Sequence, residues 1–235
     1  IPHLIELGTE EKDLYETVRS TMDKHVRQAL AIRGQEAQIV FLAALLKLRQ
    51  ICCHSKLIEQ DNTRESAKFT YLTDLLTTLK KGGRRVLLFS QFTSMLDIIE
   101  DYLIEEKTTY LKLTGASKNR QEMVEKFQAD EAEVFLISLK AGGTGLTLTN
   151  ADTVIHYDPW WNPAAENQAT DRAYRIGQDK PVFVHKLICK GTVEQRIQQM
   201  QKKKSGISDS ILTASLNQLK LDDDTLVSLL APIDE

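Results

Sequence analysis

Little in this 235-residue chain serves disulfides, membranes or a broadly basic surface. Only three cysteines occur; Cys52 and Cys53 are adjacent and Cys189 lies far away. No disulfide framework follows, and the expectation is an intracellular protein. Cys52, Cys53 and His54 make a poor metal site, because neighbouring side chains diverge on a helix and no second ligand pair follows; buried structural cysteines are expected instead. No apolar run approaches the roughly 20 residues that cross a bilayer, and the first residues do not form a signal peptide, so no membrane partner is expected. A net charge of −3 and a pI near 6.0 exclude a blanket basic surface but leave room for a narrow local groove. Also missing is any G-x-x-x-x-G-K-[ST] loop, and no strand ends in an acidic magnesium-binding box. By itself the chain lacks the usual means of holding Mg-ATP.

What is present is enough apolar sequence, 42%, to build a real core. Residues 1–81 read as helical: Leu14, Val18, Met22 and Val26 recur at three- and four-residue spacing, as do Leu42, Leu45, Leu46 and Ile51, with a break at Arg33-Gly34-Gln35. After a polar loop at 61–66, Leu72, Leu75, Leu76 and Leu79 mark another helix, which Gly82-Gly83 ends. Across 82–191 short apolar runs start at Val86, Tyr110, Val134, Thr153 and Val182, most of them separated by helical patterns at 93–106 and 119–128. Asn119 followed by Glu122 has the spacing of a capping box. Continuously apolar strands alternating with helices predict an α/β fold, a parallel sheet covered by helices on both faces. Residues 192–235 predict a Gln/Lys-rich helix to about Lys204, then a tail in which Asp222-Asp223-Asp224 caps a last helix.

Open parallel sheets bind ligands at the carboxyl ends of their strands, and the unusual residues fall there. Ser90-Gln91 closes the first run, Thr114-Gly115 the second, and Ser138-Leu139-Lys140-Ala141-Gly142-Gly143-Thr144-Gly145 the third. The glycines let backbone amides approach an anion, and Lys140 adds a charge, although a plain tight turn has the same composition. Asp158-Pro159-Trp160-Trp161-Asn162-Pro163 follows the fourth run, with Asn162 and Pro163 suited to start a helix that Gly177 ends. On a continuous helix Gln168, Arg172 and Arg175 would share one face, a set suited to a triphosphate or, equally, to a solvated face with an Asp171–Arg175 pair.

Together, VLLFSQF, LTGASKNRQEMVEKF, ISLKAGGTGLTL and ADTVIHYDPWWNPAAENQATDRAYRIGQ resemble motifs IV to VI of superfamily II helicases, and more narrowly the SWI/SNF-related DNA translocases. LRQICCHS at 48–55 and GTVEQRI at 191–197 are similar to that family as well, so the resemblance covers nearly the whole chain. It implies a second RecA-like lobe, with an N-terminal helical segment and C-terminal helices. It further implies an ATP site shared with an amino-terminal lobe that holds most of the ATP and Mg, so that the isolated chain is inactive. Arg172 and Arg175 would be arginine fingers, Gln168 would help couple the lobes, and Gly145 and Thr147 would lie near the ribose. Ser90, Gln91, Thr114, Gly115, Ser138, Lys140, Ala141, Gly142, Gly143 and Trp160 match positions that track double-stranded DNA phosphates or couple to them. Thr147 stands where family members usually carry asparagine, and Ser55 replaces the usual proline. The implied setting is bacterial cytoplasm with the nucleoid, or the nucleus in a eukaryote, acting on a DNA-bound protein complex. RNA helicase lobes resemble H-R-x-G-R-x-G-R in motif VI, whereas Asp171-Arg172-Ala173-Tyr174-Arg175 stands here. The remaining alternative is a RecA-like protein-interaction lobe without ATP turnover.

Overall fold

Five of the apolar runs become strands of one sheet in the computed structural model, which describes residues 1–32, 35–61, 63–142, 146–160, 163–173, 180–204 and 227–233. In chain order the elements are β1 (Pro2–Ile5), α1 (Thr9–Ile32), α2 (Gln35–Cys53), a 3-10 turn at Ser55–Leu57, α3 (Ala67–Lys81), β2 (Val86–Ser90), α4 (Thr93–Glu105) and β3 (Tyr110–Leu113). There follow α5 (Arg120–Gln128), β4 (Val134–Ser138), the short α6 (Leu139–Gly142), β5 (Thr153–His156), α7 (Pro163–Thr170), β6 (Phe183–Cys189) and α8 (Val193–Lys204).

Every residue of β2, β4 and β5 is buried, which is why these strands read as unbroken apolar runs instead of alternating ones. The sheet order is β1-β6-β5-β2-β4-β3. β2 pairs in parallel with both β4 and β5, β3 with β4, and β5 with β6. The chain leaves β2 toward the β3 side and leaves β5 toward the β6 side, so its direction of winding reverses between β2 and β5. A crevice at such a reversal, outside the carboxyl ends, is where open α/β sheets hold ligands. Leu87, Phe89, Phe127, Phe135, Ile137 and Val154, none of them exposed, form the centre of the core beneath it.

Two local expectations change. Pro2–Ile5 lies in the region expected to be helical but adds an edge strand beside β6, with the Ile1 and Ile5 carbonyls accepting from Lys186 and Lys190 N–H at 2.9 and 2.8 Å. Four residues carry too little periodicity to announce a strand, and proline is tolerated both at a strand's first residue and on a sheet edge. The capping box at Asn119 does not form: its side chain makes no cap hydrogen bond and its Nδ2 donates to Glu122 Oε2 at 3.1 Å. The glycine stop after α3 does form. Gly83 takes φ +65°, and Arg84 N–H closes onto the Leu79 carbonyl at 3.0 Å.

The chain divides into two compact units, residues 1–3 with 71–187 and residues 4–70 with 188–235. Inside the second unit lies a buried ion pair between residues far apart in the chain. Lys68 Nζ donates to both Glu194 oxygens at 2.7 and 2.6 Å, with both side chains wholly buried. Cys52 Sγ, Cys189 Sγ and a Glu194 oxygen lie within 4.8 Å of one another, a grouping that resembles a metal site. The ammonium of Lys68 is the cation there, and Glu194 Oε2 also accepts the Cys189 N–H at 2.9 Å, so the carboxylate is already committed. No described helix is long and apolar enough to cross a membrane.

Candidate nucleotide and nucleic-acid interface

At the β2–β5 crevice the residue after β5 organises the end of β2. Asp158, wholly buried, accepts Ser90 Oγ–H at 2.5 Å and Gln91 N–H at 3.2 Å, and Ser90 Oγ in turn accepts Phe92 N–H at 3.1 Å. Ser90 is itself buried, so its hydroxyl shapes the turn into α4 and does not face solvent. Gln91, next along, is partly exposed. Beyond β3, Thr114 Oγ1 accepts Ala116 N–H at 3.3 Å and Ser117 Oγ accepts Thr114 N–H at 3.0 Å, a tight turn that leaves Gly115 exposed with open space where a side chain would stand.

Beyond β4, Ser138 is 3% exposed and its hydroxyl accepts Ala141 N–H at 3.3 Å, capping α6. Ala141 packs into the core, whereas Lys140 between them is exposed. Gly142 ends α6; Gly143 and Gly145 lie outside the described residues. The chain emerging from the glycine run is anchored to the end of α5: Gln128 Nε2 donates to the Thr147 carbonyl at 3.1 Å, and Asn150 N–H donates to Gln128 Oε1 at 3.2 Å. Thr147 itself is exposed.

The expected helix from Pro163 to Gly177 is shorter. α7 stops at Thr170, and Arg172 and Ala173 N–H bond to the Ala169 and Thr170 carbonyls at 3.3 and 3.1 Å, the i to i−3 pattern of a tightened helix end. Gln168 and Arg172 consequently do not share a face: Gln168 is exposed, whereas Arg172 is 2% exposed. The Arg172 carbonyl accepts Leu148 N–H at 3.0 Å, and its Nη1 lies 3.5 Å from the Leu146 carbonyl, so Arg172 sits against the segment that leaves the glycine run. Arg175 and Asn162 lie outside the described residues.

Three polar contacts seat α7. Glu166, 2% exposed, accepts Trp160 N–H at 2.7 Å through Oε1 and Lys186 Nζ at 2.5 Å through Oε2. Thr170 Oγ1 meets His156 Nε2 at 3.0 Å, with the imidazole stacked on Phe89. Trp160 is partly buried. Neither Glu166 nor Asp158 was marked as functional by the sequence, although both lie within its most specific motif.

Burial pushes His156 down to about 4, despite the nearby Glu166 carboxylate. The imidazole is therefore neutral in the folded lobe, while the unfolded chain takes up its proton near 6.5. As pH falls from 6.5 toward 4 the unfolded state binds more protons, and stability falls with it. His156 alone is expected to cost about 2 kcal/mol between pH 7 and pH 5. Urea unfolding of His156→Asn across that range should show a smaller loss than wild type; equal slopes would remove the assignment.

The fold and the crevice define a helicase-type RecA-like lobe, and the comparisons agree. The description "Helicase conserved C-terminal domain" matches residues 67–177. A Bacillus subtilis relative named for an ATP-dependent helicase/translocase, YwqA, is 40% identical over 217 residues, covering 88% of this chain and 23% of that protein. The human chromatin-remodeling ATPase INO80 is 50% identical over 152 residues, 63% of this chain and 10% of its own length. The Sulfolobus solfataricus SWI2/SNF2 ATPase core in complex with dsDNA superposes with a TM-score of 0.82 at 29% identity, over 100% of this chain and 50% of that one. This chain belongs to the SWI/SNF-related family of superfamily II helicases and is its C-terminal RecA-like lobe. It spans about a quarter of YwqA and half of the Sulfolobus core.

Proposed function

We propose that this lobe completes the ATP site of a double-stranded DNA translocase that remodels protein–DNA complexes, in the nucleoid or in the nucleus. What carries the reading is that the motif residues gather along the carboxyl edge of one parallel sheet. Gln91, Thr114, Gly115, Lys140 and Trp160 supply exposed or partly exposed groups at successive strand ends. The buried Ser90, Ser138 and Ala141 set the loops that present them. Short polar side chains and backbone amides suit a motor that must grip and release phosphates without reading bases. Gly142 and Gly143 are assigned to the DNA-phosphate side, Gly145 and Thr147 to the ribose side, Gln168 to coupling between lobes, and Arg172 and Arg175 to the γ-phosphate. Asp158, the acidic residue at this strand end, has both oxygens engaged by Ser90 and Gln91. Mg and most of the ATP contacts are accordingly assigned to an amino-terminal lobe.

The burial of Arg172 favours one other reading, a protein-interaction lobe that no longer turns over ATP. The two separate on ATPase measured in the full-length, two-lobed protein with and without duplex DNA. A motor gives DNA-stimulated turnover that the 235-residue chain alone lacks; absence of turnover with or without DNA supports the interaction lobe. In the same assay Lys140→Ala is expected to weaken DNA stimulation more than basal turnover and to lower the salt slope of DNA binding by roughly one. Equal loss of basal and stimulated rates would move Lys140 to the nucleotide.

A further inference from the structure

Two buried carboxylates in the segment from β5 to α7 join parts of the crevice that the proposed motor must move together. Asp158 holds the end of β2 through Ser90 Oγ and the Gln91 N–H. Two residues on, Trp160 N–H donates to Glu166, which also takes the Lys186 ammonium from β6. Glu166 sits in the middle of α7, two residues before Gln168 and six before Arg172. The far end of α7 is held to β5 by Thr170 and His156. An unbroken chain of short contacts therefore runs from a residue assigned to DNA, Gln91, through the Trp160 segment to the helix that leads into Arg172.

We propose that Asp158 and Glu166 are positioning residues that lock the Gln91 turn, the Trp160 segment and α7 into one coupling element, so that DNA engagement and placement of Arg172 change together. The inference rests on the motor reading and adds the internal linkage of its two sites. The physical reason lies in the bonds themselves. Asp158 accepts two charge-assisted hydrogen bonds from the end of β2, and Glu166 accepts one from the Trp160 segment and one from β6, in a buried setting where such bonds are strongest and a lost partner is most costly. An apolar contact in their place would let the segments slide.

The test is ATPase in the full-length protein as a function of duplex DNA concentration, for wild type, Glu166→Ala, Glu166→Gln and Asp158→Asn. Glu166→Ala is expected to lower the ratio of DNA-stimulated to basal turnover roughly tenfold while the half-stimulating DNA concentration stays within about threefold of wild type. Glu166→Gln keeps an oxygen for the Trp160 N–H and should recover a large part of that ratio. The Asp158→Asn and Glu166→Gln double variant should lose little more than the worse single, as members of one element do. An unchanged ratio in Glu166→Ala with only a lower melting temperature, a loss explained wholly by weaker DNA binding, or additive effects in the double variant would overturn the proposal. If Glu166→Ala does not fold, Lys186→Met, which removes the ion pair from its partly exposed side but leaves the Trp160 N–H bond, must lower the ratio to the level of Glu166→Gln. Wild-type turnover indifferent to DNA would sink the motor reading itself; normal wild-type stimulation with an unaltered variant ratio sinks this inference alone.

Discussion

Arg172→Ala in the full-length protein is expected to reduce DNA-stimulated ATP turnover by on the order of 10³-fold, the scale on which arginine fingers act in phosphoryl transfer. A finger supplies charge that is needed only as the γ-phosphate leaves, so the loss should fall on kcat, with ATP affinity changing little. Arg172→Lys should not restore the rate, because an ammonium lacks the planar fork that grips two phosphate oxygens. That variant also controls for packing, since Arg172 is buried and its carbonyl anchors Leu148. The burial makes the experiment sharper: to act on a phosphate the guanidinium must be uncovered when the lobes close, and a purely structural arginine never is. Turnover within about threefold of wild type in a folded Arg172→Ala protein would remove the finger assignment.

The second large effect concerns stability. Replacing Lys68 by Met or Glu194 by Leu, one at a time, is expected to destabilise the fold by about 3–5 kcal/mol, because each leaves an uncompensated charge in the interior. Burial by itself would pull the Lys68 ammonium down, but the surrounding Cys189, Glu194, Cys53 and Cys52 outweigh it and hold it above its ordinary value. Loss of Glu194 also strips the Cys189 N–H of its acceptor. The double replacement, apolar on both sides, should recover most of the loss, since two desolvated charges and their attraction nearly cancel. Urea unfolding of the four proteins reads the result. Single variants as stable as wild type would mean that the pair is open to water.

Some of this architecture could be read along the chain. The apolar runs at Val86, Val134 and Thr153 announced buried parallel strands, since a strand covered on both faces needs no alternation. Gly82-Gly83 marked a helix end by its backbone freedom, and the motif from Asp158 to Gln178 identified the family. Harder to read were features whose cause is distant. The β1 strand is too short for a period, and Asn119 found Glu122 in place of its own helix terminus. The end of α7 at Thr170 could not be seen in a sequence whose helical pattern continues, because His156 and the loop at Leu148 fix it from other elements.

The order of residues alone determined the class of fold and the family, because strand burial, turn chemistry and a dense run of motif residues are local properties. Only the folded chain decided which of those residues face outward. It turned Ser90, Ser138 and Ala141 inward as supports, covered Arg172, and left Gly115, Lys140 and Gln168 at the surface with Gln91 partly exposed. It also paired Lys68 with Glu194 across 126 residues and set Asp158 and Glu166 as ties between segments. Burial and pairing depend on what arrives from elsewhere in space, and no local pattern encodes that arrival.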